Sequence, residues 1–301
     1  MKNLKVIFMG TPEFAVPVLE SLIEKTSVIG VVTQPDKGKK ISPIKVLALK
    51  HKLNIFQPIK IRKEYENILA LNPDIIVTCA YGQIIPKEIL DYPKYGCINI
   101  HASLLPKLRG GAPIHRAILE GHTKTGITIM YMDETMDTGD IISMESIDIK
   151  EDETVGILHD RLKILGRDLF IKTLKDILNG TSKRIKQKDE DATYAYNITR
   201  EDEKIDWNLS KDEIYNKIRG LNPFPGSYTL LDDKILKIWD SYKKDELLDG
   251  ENGEIIKIDS GIHIKVKDGV IIITSLQLEG KRKMNYKEFV NGRDIIGKVL
   301  R

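Results

Sequence analysis

The stretch Val6-Ile7-Phe8-Met9-Gly10-Thr11-Pro12-Glu13-Phe14 decides the class of fold. An apolar run that stops at a glycine reads as a buried strand. Thr11 then stands where a helix N-cap is expected, with Pro12 at the first helical position and Glu13 in the first turn. Phe14, Val18, Leu19 and Leu22 follow at helical spacing, and Val28-Ile29-Gly30-Val31-Val32 returns as a strand. That is a βαβ unit. Asp74-Ile75-Ile76-Val77-Thr78-Cys79 and Gly96-Cys97-Ile98-Asn99-Ile100 supply further apolar strands. Runs of this kind, separated by helical patterns, indicate an α/β domain with a parallel sheet covered on both faces.

Working outward, Val155, Leu158, Leu162, Leu165 and Leu169 repeat at three- and four-residue steps, and Leu174, Ile177 and Leu178 continue the pattern up to Gly180. A helix over 154–178 is expected. Residues 181–203 are rich in Lys, Asp, Glu and Thr without periodicity and read as a linker. Beyond a short helix over 211–219 and the rigid turn Asn222-Pro223-Phe224-Pro225-Gly226, about five alternating segments suggest a small β-barrel or sandwich. The expected division is a catalytic domain over 1–180, a linker over 181–203 and a smaller β domain over 204–301.

The whole-chain arithmetic agrees with two domains. At 301 residues the chain holds about two units of ~150. Two cysteines exclude a disulfide-rich scaffold and a four-Cys zinc site. Cys79 and Cys97 lie in apolar strands and read as small core residues. A net charge of +3 implies neither a nucleic-acid nor a membrane partner, and no apolar run approaches the ~20 residues of a span. The first ten residues read as a strand rather than a leader, so a reducing, cytoplasmic setting is expected.

Most local signals have a bland alternative. The Gly10-Thr11-Pro12 helix opening could hold an anion, but G-x-G-x-x-G is missing, which disfavours a dinucleotide site and leaves Asp36 a weak ribose ligand. The six histidines show no metal-ligand spacing, so no metal is expected. Lys37, Lys39, Lys40, Lys45, Lys50 and Lys52 occur without an intervening acid and read as a solvated face unless they border a site. The informative residues are Asn99 and His101. In a strand they share one face while Ile98 and Ile100 take the other. Polar side chains ending an apolar strand are costly to bury without partners, and the carboxyl edge of an α/β sheet is where sites form. Asp137, in the turn Met136-Asp137-Thr138-Gly139-Asp140, could orient or charge the imidazole. With no Ser or Cys attacker beside this trio, direct transfer between two bound substrates is the natural class.

These same residues carry a resemblance. Cys97-Ile98-Asn99-Ile100-His101-Ala102-Ser103-Leu104-Leu105-Pro106, Arg109-Gly110-Gly111-Ala112-Pro113-Ile114 and the 136–140 turn resemble the motifs of folate-dependent formyltransferases. Gly10-Thr11-Pro12-Glu13-Phe14, Thr33-Gln34-Pro35-Asp36, Ala80-Tyr81-Gly82-Gln83-Ile84-Ile85-Pro86, Ile205-Asp206-Trp207 and Asn222-Pro223-Phe224-Pro225 narrow it to those that act on methionyl initiator tRNA. The resemblance spans essentially the whole chain. It implies a Rossmann-like catalytic domain, a C-terminal OB-like barrel contributing to tRNA binding, and 10-formyltetrahydrofolate as formyl donor. It also implies a catalytic role for Asn99, His101 and Asp137, folate binding at Ser103, Leu104, Leu105 and Pro106, and backbone of Gln83, Ile84 and Ile85 beside the pterin. Phe14 is a candidate for the methionine pocket, and Lys37, Lys39 and Lys40 for phosphate contacts. Family members often carry a longer loop with Arg and Gly after Thr33-Gln34-Pro35-Asp36; here it is cut to Lys37-Gly38-Lys39-Lys40-Ile41. A monomer is expected, and a formyltransferase for a small amine such as an amino sugar nucleotide is the nearest alternative.

Overall fold

The computed structural model describes all residues, 1–301, and divides them into two compact units. The first comprises Met1–Pro113, Lys124–Ile147 and His159–Tyr196; the second comprises Ile114–Thr123, Asp148–Leu158 and Asn197–Arg301. No helix is long and apolar enough to cross a membrane.

The first unit is built on seven strands: β1 (Lys5–Gly10), β2 (Ser27–Val32), β3 (Ile55–Phe56), β4 (Ile75–Cys79), β5 (Cys97–His101), β6 (Lys124–Tyr131) and β7 (Ile141–Asp148). Their order is β3-β2-β1-β4-β5-β6-β7, a Rossmann-like arrangement. Strands β1 to β5 pair in parallel, and their mostly apolar runs suit a sheet covered on both faces, but β6 runs antiparallel to β5. Chain order reverses between β1 and β4, and sites form at the carboxyl ends of strands around such a switch. The helix Val155–Leu178 follows its heptad-like apolar pattern. At Gly166 it approaches β5 and β6 so closely that a Cβ would stand 3.2 Å from Ile100.

Helix entry after β1 departs from the sequence expectation. Thr11 is not an N-cap: Glu13–Ala15 form a single 3₁₀ turn without a side-chain cap, and the α-helix runs Val16–Lys25. Pro17 explains the delay, since a proline fits only in the first turn of an α-helix. The Thr11 hydroxyl instead donates to the Tyr81 carbonyl at 3.3 Å and accepts from the Gln34 amide at 3.3 Å. It thereby ties together the loops that leave β1, β2 and β4.

The stretch read as a linker is bound for most of its length. Ile185 exchanges backbone hydrogen bonds with Ile141 at 2.8 and 2.9 Å. Thr193 and Ala195 bond to Arg109, with Arg109 N donating to Thr193 O at 2.8 Å and Ala195 N donating to Arg109 O at 2.7 Å. Chain through Tyr196 therefore belongs to the first unit, and only Thr199 onward begins new structure, as the capping residue of the short helix Arg200–Glu203. The second unit also takes in two earlier stretches. Arg116 pairs with Asp202 at 2.8 Å, and Arg219 donates to the carbonyls of Lys150 and Glu153 at 3.1 and 3.0 Å.

The second unit carries an antiparallel sheet ordered β10-β11-β12-β9-β8, comprising β8 (Ser227–Leu231), β9 (Lys234–Lys244), β10 (Ile255–Ile258), β11 (Ile262–Val266) and β12 (Gly269–Leu278), with a short β13 (Met284–Asn285) on β12. The strand ladder is an open path from β10 to β8, which does not by itself close the OB-like barrel that the resemblance implied. Its two outer strands are each bonded to the segment 297–301: Arg301 exchanges hydrogen bonds with Leu230 of β8, and Lys298 O accepts from Ile255 N of β10. Trp207, Ile214, Ile238, Ile264, Leu276 and Phe289 form the core beneath it, and Trp207 Nε1 donates to Thr229 Oγ1 at 2.9 Å.

Candidate active site

Register places the first polar group. Pairing of β4 with β5 sets Thr78 beside Asn99, and Thr78 Oγ1 donates to Asn99 Oδ1 at 2.9 Å. With its oxygen so engaged, the Asn99 amide turns its Nδ2 donor toward Asp137 Oδ1, 3.5 Å away. Two residues on, His101 lies on the same face and is 6% exposed. Its Nε2 is 3.0 Å from the Leu108 carbonyl, an obligate acceptor, so Nε2 carries hydrogen and donates. Nδ1 faces Asp137 Oδ1 at 3.6 Å. The sequence-derived trio therefore converges on one carboxylate oxygen.

Asp137 is held from its other side. Gly110 N donates to Oδ2 at 2.8 Å, while Oδ1 receives only the two long contacts and keeps acceptor capacity for an incoming group. The backbone around the trio is unusual. Asp137, Leu108 and Ala80 all have left-handed φ, at 57°, 58° and 50°. Such conformations cost of order 1–3 kcal/mol in a non-glycine residue and persist where surrounding contacts impose them. For Leu108 the constraint is visible: its amide donates to Thr193 Oγ1 at 2.9 Å while its carbonyl holds His101. Gly110, at φ 123°, lies so close to the 193–195 segment that a Cβ would stand 2.7 Å from Ala195 O.

The remaining sequence candidates fall in several places. Ser103 is fully buried and donates to Lys107 O at 2.6 Å, while Leu105 N is bound to Thr128 Oγ1, so 103–106 form a fixed turn just after β5. Leu105 is buried, and Leu104 and Pro106 are half-buried. Gln83 accepts from Ile61 N at 2.9 Å and donates to Pro58 O at 3.1 Å; beside it Ile84 is exposed and Ile85 is buried. Phe14 is buried and packs edge-on against His159, with ring centroids 5.3 Å apart. Lys37 and Lys40 bridge across a tight turn at Gly38, leaving Lys37, Lys39 and Lys40 exposed. At its base Asp36 pairs with Lys45, which holds the Asp36 carboxyl below its ordinary range. Cys79 and Cys97 are buried, and burial drives both thiols well above the usual range, which leaves them inert as nucleophiles.

A cavity of about 360 Å³ lies elsewhere, lined by Lys94, Tyr95, Tyr131, Glu134 and Arg184 among others. It meets β5 at Cys97, the end opposite His101. Two of its three cations are ion-paired, Lys87 with Asp91 and Glu134 and Arg184 with Asp140, while Lys94 lies over the Tyr95 ring at 5.0 Å. The trio, not this cavity, has the makings of a reaction centre.

Residues 2–174 match the family model described as formyl transferase, and residues 197–294 match that of the formyl transferase C-terminal domain. The methionyl-tRNA formyltransferase of Bacillus cytotoxicus is 52% identical over 300 residues, covering 96% of each chain. That of Bacillus cereus strain G9842 is 51% identical over 300 residues at the same coverage. This chain belongs to the methionyl-tRNA formyltransferase family. Solved structures agree on the fold. The sugar 3N-formyl transferase WlaRD superposes on this formyltransferase with a TM-score of 0.68 at 22% identity, covering 94% of this chain and all of that one (100%). HypX from Aquifex aeolicus, in complex with tetrahydrofolic acid, gives 0.68 at 16% identity over 100% of this chain and 51% of its own.

One group at the site was missed in the sequence. Gln187, inside the stretch read as a linker, is 7% exposed and donates through Nε2 to Asp137 O at 2.9 Å and Gly139 O at 2.8 Å. A lone glutamine in a polar run gives no periodic signal. Only the tertiary structure reveals it.

Proposed function

We propose that this protein transfers the formyl group of 10-formyltetrahydrofolate to the α-amine of methionine on initiator tRNA. Identity of about half the residues with the curated methionyl-tRNA formyltransferases, over 96% of the chain, carries this reading of the acceptor. The trio's geometry supports the chemistry.

The neutral methionyl amine attacks the formyl carbon, and the carbonyl electron pair moves to oxygen. Asn99 Nδ2, turned toward the site by Thr78, donates to that oxyanion. One such donor is worth roughly 3–4 kcal/mol. Because Nε2 of His101 is committed to Leu108 O, the ring offers a donor on its Nδ1 side only as the imidazolium. In that form both ring N–H groups have acceptors, Leu108 O and the Asp137–oxyanion side. Asp137 Oδ1 accepts the proton shed by the attacking nitrogen. Collapse breaks the bond from carbon to the folate N10, which takes up a proton, and leaves formyl-methionine and tetrahydrofolate. Folate occupies the turn at 103–106 and the 83–85 loop, Phe14 borders the methionine side chain, and the second unit contributes to tRNA binding.

The direct test is an assay of the purified protein with 10-formyltetrahydrofolate and charged initiator tRNA, with amino sugar nucleotides as competing acceptors. Formylation of the tRNA is expected; formylation of the small amine alone would sink the assignment. The exposed Lys37–Lys40 turn supplies phosphate contacts in this reading. Charge reversal at Lys39 and Lys40 is expected to raise KM for tRNA, flatten its salt dependence, and leave KM for the folate donor unchanged. An unaltered KM for tRNA would make the turn a solvated face.

A further inference from the structure

We infer that Gln187 is a positioning residue for the transfer reaction: its side-chain amide holds the Asp137 turn in the geometry that chemistry needs. The inference rests on the functional reading above and deepens it. Four hydrogen bonds meet on this one side chain. Nε2 donates to the carbonyls of Asp137 and Gly139, at 2.9 and 2.8 Å, clamping both ends of the turn. Oε1 accepts from Arg109 Nε and Nη2 at 3.1 and 2.9 Å. Arg109, 3% exposed, is further held by Asp189 at 2.9 Å. The residue after Arg109 is Gly110, whose amide donates to Asp137 Oδ2.

The network closes on itself. Gln187 fixes the backbone of Asp137 from one side, and through Arg109 it fixes the loop that grips the Asp137 carboxylate from the other. Without the two donors, Asp137 keeps the Gly110 amide on its carboxylate, but its backbone carbonyl is no longer held against relaxation from the left-handed φ of 57°. The carboxylate oxygen shared by Asn99 and His101 would then move. A misplacement of about 1 Å at a reacting group can cost on the order of 10²-fold in rate. Thr193 plays a parallel, lesser part from the same segment, accepting from Leu108 N beside the carbonyl that holds His101.

Two substitutions separate positioning from mere anchorage. Gln187→Glu keeps acceptors for Arg109 but loses both donors to the turn; Gln187→Met loses all four bonds at similar volume. Both are expected to lower kcat by at least about 10-fold, with KM for tRNA and donor within about twofold, and to displace the pH profile of kcat. The Asp137 carboxyl-carbon resonance, followed by NMR without substrate, is expected to move in both variants. Thermal melting run alongside gives the folded fraction at the assay temperature. Gln187→Glu with wild-type kcat would overturn the inference, because anchorage to Arg109 would then suffice. So would losses in both variants that merely track the folded fraction with an unmoved pH profile. The wild-type assay tests the functional reading separately: were it to formylate another amine, the variant-to-wild-type ratio is measured with that amine, and the carboxyl-carbon resonance needs none.

Discussion

Asp137→Asn is expected to lower kcat for formylation by at least about 100-fold while leaving the protein folded. Asparagine is the informative replacement, because it tolerates the left-handed backbone that Asp137 adopts at φ 57° nearly as well as aspartate does. Its carbonyl oxygen can still accept from Gly110 N, so the local hydrogen bond at 2.8 Å has a substitute. The position between Asn99 and His101 then holds an amide NH₂. That group cannot accept a proton from the attacking nitrogen and has no attraction for the imidazolium. KM for the folate donor should stay near the wild-type value, since the 103–106 turn does not depend on Asp137. Single-turnover formylation with thermal melting as control measures both. A rate within a few-fold of wild type would remove Asp137 from the chemistry and leave it a turn residue.

The largest stability effect is expected at Trp207→Ala. Trp207 is 4% exposed in the core of the second unit, and its indole N–H bonds to Thr229 Oγ1 at 2.9 Å. Truncating a buried tryptophan costs about 3–5 kcal/mol through lost transfer energy and a residual cavity. A domain has in total only roughly 5–15 kcal/mol. Thr229 keeps one partner, Arg301 O at 3.1 Å, so the excess penalty of an orphaned hydroxyl is small. Calorimetry should show the loss in the second unit's transition; a decrease under about 1 kcal/mol would mean that the site collapses to fill the hole.

Strands buried on both faces were legible because the apolar run itself is the signal: β1, β4 and β5 were located from sequence with small end errors. The long helix was legible for the same reason, with eight apolar positions in phase. Strand β7 was not. It lies at the sheet edge and reads Ile141-Ile142-Ser143-Met144-Glu145-Ser146-Ile147-Asp148, with most of its outer half solvent-facing, so neither period stands out. The antiparallel direction of β6 is likewise invisible locally, because apolar content fixes burial and not polarity. At the site, Asn99 and His101 stood out as polar residues where an apolar strand ends. Asp137 was marked by its turn and by resemblance. The supports were not legible: Gln187, Thr193 and the Arg109 guanidinium act across 50 to 85 residues of chain, and polar residues in an aperiodic run look alike whether they are solvated or clamped. Composition told equally little about the acceptor, since a charge of +3 hides any local cluster.

The two buried thiols have a practical meaning beyond packing. Cys79 ends β4 and Cys97 begins β5, so both sit in the strands that carry Thr78, Asn99 and His101. The second unit has no cysteine in any of its three stretches. Alkylation therefore proceeds only when the central layer of the first unit opens, whatever the other half of the chain is doing. The sequence comes equipped with its own clock for the opening of its reaction centre, readable by mass and free of any introduced label.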